Sequence, residues 1–289
     1  MTPISAGDVK KLRETTGAGM MSCKEALSAT QGDFEKAIEY LRKKGIASAE
    51  KRSGREAKEG LVVFHVHPDH AMGVMVEINC ETDFVAKTPD FQSLAQAVAL
   101  GVAGHSAETE ELGADPNHLL KDKILEASGK LGEAISIRKA TRFKMGSKAG
   151  VIIPYIHPGS RLGVMVEVQC SDAQAAVSEE FKTLAKNVAM QIAATNPIAV
   201  QREEVSKETV DKELDIYRTQ VKDQKKPAAV IEKIVQGKLD KYFQETVLLE
   251  QSYVKDPGKT LQEYVNDVAK KLNAEITVKR FVRFQLGES

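Results

Sequence analysis

Three histidines and a cysteine offer the first possible chemistry in the chain. His65 and His67 lie two residues apart and would share one face of a strand, with His70 and Cys80 close behind. That set has the residue types of a zinc site. A second copy of the same segment argues against it, because Tyr155 stands for His65 and Ser160 for His70, and only His157 beside Pro158 is kept. The histidines therefore read as strand and turn residues, and no metal is expected. Gly258-Lys259-Thr260 has the ending of a phosphate-binding loop, but such a loop needs a glycine where Tyr253 stands. No Ser/His/Asp or Cys/His set emerges from motif spacing. With no catalytic constellation and no cofactor motif, the chain reads as a binding protein and not an enzyme.

The internal copy supplies the sharper signal. Gly60 to Cys80 aligns without gaps to Gly150 to Cys170, and the match continues through Phe91, Leu94, Ala95, Val98 and Ala99 against Phe181, Leu184, Ala185, Val188 and Ala189. Sixteen of 44 positions are identical from Gly60 to Ala103, which fixes the register at an offset of 90. At that register the copies disagree after the shared cysteine: Glu81-Thr82-Asp83-Phe84-Val85-Ala86 in the first, Ser171-Asp172-Ala173-Gln174-Ala175-Ala176 in the second. Asp83 and Phe84 thus fall on a strand-to-helix connection, where binding residues are often carried. Phe84 either stands at the surface there or tucks into the local core, and the residues alone leave both open. A second candidate is Thr16-Gly-Ala-Gly-Met20-Met21-Ser-Cys23, since two adjacent methionines cannot both face a small core and suit an adaptable docking surface. One buried and one incidentally exposed methionine is the competing reading.

The elements that must hold these residues follow from periodicity. Val9 and Leu12 mark a first helix, broken at Gly17 and Gly19; Lys24 to Ala29 form a second. Asp33 caps a third, whose Phe34, Ala37, Ile38 and Leu41 follow helical spacing and which Gly45 is expected to end. Ala47 to Glu59 then reads as a linker. Each repeat opens as a hairpin turning at His-Pro, and Met72, Val74, Val76, Ile78 and Cys80 alternate with Gly73, Met75, Glu77 and Asn79, which places the first set on a buried face. Thr88, followed by Pro89, and Ser178 are expected helix N-caps.

The repeat resumes with Lys130-Leu131 and Ile135 to Phe143, matched by Lys271-Leu272 and Ile276 to Phe284 at an offset of 141. The larger offset means that 51 residues are inserted in the second copy, between about Asn196 and Gly258. Within them Val210, Leu214, Tyr217 and Val221, then Val235, Leu239, Tyr242, Thr246 and Leu249, make two heptad-like stripes separated by Lys225-Lys226-Pro227. An antiparallel helical hairpin is expected.

Composition narrows the class. Apolar residues make up 42% and charged residues 28%, ordinary for a globular protein. No apolar run approaches the ~20 residues of a membrane span. The stretch from Met1 to Lys10 lacks the apolar segment of a secretory signal, and Cys23, Cys80 and Cys170 are too scattered for a disulfide framework, so the protein reads as reduced and cytoplasmic. Lys plus Arg and Asp plus Glu are 41 each, which gives no global pull toward nucleic acid. The local run Arg42, Lys43, Lys44, Lys51, Arg52, Arg55 and Lys58 reads as a solvated helix end and linker in preference to an RNA contact.

At these residues the chain closely resembles the bacterial elongation factor Ts family. Leu12-Arg13-Glu14-Thr15-Thr16-Gly17-Ala18-Gly19-Met20-Met21 with Cys23-Lys24 is similar to its N-terminal signature, and Cys80 to Ala86 to its core signature. The resemblance implies guanine-nucleotide exchange on the GTPase elongation factor Tu, without direct binding of the nucleotide. A ubiquitin-associated-like N-terminal domain would dock on the GTPase through Leu12, Arg13, Met20 and Met21. Thr82, Asp83, Phe84 and Val85 would push between its helices and dislodge its magnesium ion. The second core half would contact another domain of the GTPase, and the insert would serve dimerisation, as in some members. Some members also carry a C-terminal helical module, absent after Phe284 in this sequence, whose contacts are not carried over. The resulting expectation is an α+β protein: an N-terminal three-helix domain with basic linker at 1–55, a first core half at 56–146, a second at 147–195 plus 259–289, and the inserted hairpin at 196–258.

Overall fold

The computed structural model describes residues 4–104, 120–221 and 227–288. Lys225 and Lys226, expected to separate the hairpin arms, lie outside them. The described chain is mixed helix and small sheet, an α+β protein.

Three helices begin it. Ser5 opens α1 (Ala6–Thr16) with a capping box: its Oγ accepts from the Asp8 amide at 3.1 Å while Asp8 accepts from the Ser5 amide. Gly17 ends the helix at φ 71°, a left-handed conformation that glycine adopts without a Cβ clash. The second helix, α2 (Met20–Ala29), starts four residues before the expected Lys24, so both methionines sit in its first turn. Asp33 caps α3 (Phe34–Arg52), accepting from the Lys36 amide at 3.0 Å. Val9, Leu12, Cys23, Ala26, Leu27 and Ala37 form the small core between them.

Gly45 does not end α3, which continues to Arg52. The glycine serves a crossing instead. It faces Gly129 of α6 (Lys121–Leu131), where two residues without side chains let the helix backbones approach. Arg52 also donates to the Ser128 carbonyl at 2.8 Å. Much of the stretch expected to be a linker is therefore helix packed on helix.

The two copies build the same sheet. The strands β1 (Glu59–Val66), β2 (Met72–Cys80) and β3 (Ser136–Lys144) lie in the order β1-β2-β3; β4 (Ala149–Ile156), β5 (Leu162–Cys170) and β8 (Ile276–Gln285) lie in the order β4-β5-β8. The β4–β5 pair is antiparallel, from Ala149 opposite Cys170 to Ile156 opposite Gly163. Both hairpins turn alike, with His70 and Ser160 at φ 57° and 54°. A one-turn helix follows each central strand, α4 (Asp83–Ala86) and α7 (Ala173–Ala176), and then a long helix, α5 (Pro89–Ala103) capped by Thr88 or α8 (Glu179–Thr195) capped by Ser178.

Burial on β2 departs from strict alternation. Val74, Val76, Ile78 and Cys80 are buried, but so are Met75, Glu77 and Asn79. The second face is covered by chain far away in sequence: Glu77 Oε1 accepts from the Gly287 amide at 3.1 Å and from Asn79 Nδ2 at 3.2 Å. In the second copy Glu167, also buried, accepts from Arg280 Nε and Gln169 Nε2, each at 2.7 Å.

The chain packs as two compact units, as far as its residues are described: Met1–His65, Val74–Arg142 and Phe284–Ser289 in one, Val66–Gly73 and Phe143–Arg283 in the other. The ends of equivalent strands are thus exchanged. Arg280 stacks on Phe143 at 4.3 Å within the second unit, and its counterpart Lys139 lies over Phe284 at 5.9 Å within the first.

The insert carries α9 (Lys207–Val221) and α10 (Ala228–Thr246), packed as an antiparallel pair with Arg218 on Glu232 at 3.0 Å and Lys238 over the Tyr217 ring. Leu239 and Phe243 pack with Ala199, Val205 and Val247 at its base. Arg202 clamps that base, reaching both Glu250 oxygens and Asp240 while lying over Phe243. Val200, Leu248, Leu249 and Tyr253, inside the span expected to be insert, belong to the core beneath the second sheet. Gly258-Lys259-Thr260 ends β7 (Asp256–Thr260), which pairs with β6 (Ser252–Tyr253) and leads into α11 (Leu261–Leu272): Thr260 and Glu263 form a capping box, and Lys259 pairs with Asp267 at 3.1 Å.

Candidate functional site

The segment after β2 is a short arm held from behind. Thr82 caps α4, its Oγ1 accepting from the Val85 amide at 3.3 Å. The same hydroxyl donates to Glu133 Oε1 at 2.6 Å, and Glu133 Oε2 accepts from the Glu81 and Thr82 amides, both at 3.0 Å. Glu81 returns the contact, accepting from the Ala134 amide at 2.7 Å and from Arg55 at 3.4 Å. Cys80 is buried below, with Sγ 3.1 Å from the Thr82 carbonyl; burial first, then the Glu133 charge, pushes its thiol up to about 12, so it is not a nucleophile at neutral pH.

The outer side of the arm is open. Phe84 is 80% exposed, against Ala86 buried on the inner side. Asp83 pairs with Lys87 at 2.6 Å, and that hydrogen bond holds its carboxyl below the usual range. Val85 is half-buried. A phenylalanine so fully presented, on a one-turn helix tied to the α6–β3 connection by three hydrogen bonds to Glu133, is not a core residue. Of the two readings of Phe84, the surface one holds.

The N-terminal candidates divide. Met20 is 55% and Met21 76% exposed, so neither is in the core, and Arg13 is exposed on the last turn of α1. Leu12 is fully buried in the three-helix core with Val9, Cys23, Ala26, Leu27 and Ala37, so it does not stand open at the surface as Arg13, Met20 and Met21 do.

Sequence reasoning passed over Glu133 and Glu81. Glu133 follows the left-handed Gly132 that ends α6, and the repeat places Ala274 at its equivalent. The signal for it is in the repeat, where at the second offset an acid stands opposite an alanine.

A family model described as "Elongation factor TS" matches residues 81–288, which takes in the whole arm and its clasp. The chain is also 47% identical to the elongation factor Ts of Prosthecochloris aestuarii, across 99% of this chain and 100% of that protein. The chain belongs to the elongation factor Ts family. Similar members include elongation factor Ts of Clostridium botulinum strain Alaska E43, 46% identical over 99% of this chain and 93% of that one, and of Chlorobaculum tepidum, 45% identical over 99% and 100%. Membership in the elongation factor Ts family makes this a protein of translation elongation.

Other features carry less. His67 pairs with Asp69 at 2.8 Å, and among the described residues no group of three or more His, Cys, Asp or Glu could hold a metal. Among the same residues no helix is long and apolar enough to cross a membrane. Of the basic run, Arg42 meets Glu126, Lys43 meets Glu39, Lys44 meets Glu25, Arg55 meets Glu81 and Lys58 meets Glu56. Such surface pairs contribute little stability.

Proposed function

We propose that this member of the elongation factor Ts family promotes guanine-nucleotide exchange on elongation factor Tu, using the Thr82–Val85 arm as a wedge that dislodges the GTPase's magnesium ion. The observation that carries this reading is the presentation of Phe84: a large apolar side chain, 80% exposed, on a segment braced by Glu133. An apolar body inserted between the partner's helices shifts the groups that hold magnesium. Because magnesium neutralises phosphate charge, nucleotide affinity falls with no contact to the nucleotide. The coupling is reciprocal, so bound GDP weakens the factor by the same free energy. The protein itself needs no cofactor and catalyses no covalent step.

The remaining roles follow the domain reading of residues 1–55, 56–146, 147–195 with 259–289, and 196–258. The ubiquitin-associated-like helices dock through Arg13, Met20 and Met21, supported by Leu12. The second half meets another part of the GTPase, and the helical hairpin serves a homodimer in the cytoplasm.

The test exchanges Asp83 and Phe84 for the Ala and Gln that the second copy carries at Ala173 and Gln174. That copy forms the same one-turn helix, so D83A/F84Q should fold with stability within ~1 kcal/mol of the parent. Stopped-flow release of fluorescent GDP should show a much lower plateau rate at saturating factor and a modest shift in half-saturation. An unchanged plateau with only a shifted half-saturation point would sink the wedge and leave both as ordinary interface residues.

A further inference from the structure

We infer that Glu133 is the positioning residue of the exchange arm, holding it rigid against the partner and tying it to the N-terminal helices; this rests on the wedge reading above. Three donors converge on the Glu133 carboxylate: the Thr82 hydroxyl at 2.6 Å and the Glu81 and Thr82 amides at 3.0 Å. By accepting the hydroxyl's hydrogen bond, Oε1 leaves a Thr82 lone pair for the Val85 amide, so the carboxylate fixes the rotor that caps α4. Charge-assisted bonds of this kind are roughly twice as strong as neutral ones. The clasp closes in the other direction through Glu81 and the Ala134 amide at 2.7 Å.

The clasp is also anchored at its rear. Ser128 Oγ donates to the Glu133 carbonyl at 2.5 Å, and the Ser128 carbonyl accepts from Arg52 of α3 at 2.8 Å. Arg52, Ser128, Glu133 and Thr82 thus form one hydrogen-bonded line from the long N-terminal helix to the arm. Load taken at Phe84 passes into α3 and α6 and does not bend the arm.

The second copy shows that the fold does not require this device. Ala274 occupies the equivalent of Glu133, and the joint is made by backbone groups and one serine: the Ser171 amide donates to the Glu275 carbonyl and the Glu275 amide to Ser171 Oγ, both at 2.9 Å. Asp172 caps α7 unaided, accepting from the Ala175 amide at 2.7 Å. A carboxylate clasp occurs where Asp83 and Phe84 are presented, and an alanine where Ala173 and Gln174 are. The brace goes with the wedge.

The test uses the full chain and the same stopped-flow assay. Glu133→Ala, which copies the second repeat, should lower the plateau rate roughly tenfold, since a small misplacement of an acting group costs that much or more. Half-saturation should move by less than about threefold, because the docking helices are unchanged. Glu133→Gln keeps one acceptor oxygen and should fall between Ala and the parent. In the D83A/F84Q background, E133A should lower the plateau no further, since it acts through the arm already removed. A parental plateau in E133A, or an additional loss in that background, overturns the role of Glu133. Should E133A fail to unfold cooperatively, E133Q decides: an intermediate plateau supports the role and a parental one overturns it. A parental plateau in D83A/F84Q instead overturns the wedge itself, so the two failures are distinguishable.

Discussion

Gly45 and Gly129 meet backbone to backbone where α3 crosses α6, and they are not equivalent. A β-carbon on Gly129 would stand 2.7 Å from the Gly45 carbonyl carbon, whereas one on Gly45 would stand 3.5 Å from the Gly129 Cα. Gly129→Ala should therefore destabilise by about 1–3 kcal/mol through overpacking, more than the ~1 kcal/mol it gains in helix propensity. Gly45→Ala meets ordinary contact distance and should be neutral or stabilising by up to ~1 kcal/mol. Urea unfolding midpoints of the two variants check the asymmetry; equal effects would mean the crossing is looser than described.

The docking reading of α2 predicts a separation of stability from affinity. Met20 and Met21 are both exposed, so changing the pair to Ala should leave the unfolding midpoint nearly unmoved. Half-saturation in the exchange assay should rise, by roughly 1–3 kcal/mol of lost binding if the pair is a hot spot. A collapse of thermal stability with normal affinity per folded molecule would return the methionines to the core.

Trimming the insert should succeed or fail according to where it is cut. Replacing residues 208–236 with a short Gly/Ser turn keeps Leu239, Phe243 and the Arg202 clamp, and the product should unfold cooperatively and retain exchange. Replacing residues 200–257 removes Val200, Leu248, Leu249 and Tyr253 from the core and should abolish cooperative unfolding. Circular dichroism against urea distinguishes the two; cooperative unfolding of the longer deletion would show those four residues to be dispensable.

Alkaline pH should weaken the fold through groups that the folded chain keeps neutral. Burial, the largest cause in each case, pushes Cys80, Tyr217 and Tyr253 up to about 12. The unfolded chain ionises these groups at about 9 to 10, so it sheds protons that the native state keeps. Stability from this source is complete below about pH 9 and falls as pH rises toward 12. Urea midpoints measured across that window should decline, and less so in Cys80→Ala; a flat profile would mean that these groups titrate alike in the folded and unfolded chain.

What the sequence made legible was what is local or repeated. Asp33, Thr88 and Ser178 cap the helices they were expected to cap, because a cap is decided within four residues. The duplicated sheets followed from a gap-free match, which needs no knowledge of packing. Gly45 was misread as a helix end because its meaning depends on Gly129, distant in the chain. The second buried face of β2 was invisible for the same reason, since Gly287 supplies part of its cover. At the arm, the divergence of the copies pointed to Asp83 and Phe84, and only accessibility decided between surface and core. Glu133 was missed although its signal, an acid opposite Ala274 in the repeat, lay in the same alignment.

The exchange of strand ends sets a timetable for biosynthesis. Glu77 is covered by an amide 210 residues further along, so at ~5–20 residues per second that acid waits roughly 10–40 s for its cover after leaving the ribosome. Val66–Gly73 likewise finds its own unit only once the chain beyond Phe143 has emerged. Neither unit can close as a finished body before the ribosome is nearly done, whereas the three N-terminal helices complete their small core from residues before Leu41. The nascent chain therefore holds a finished three-helix core, with Met20 and Met21 on its surface, well before either unit is complete.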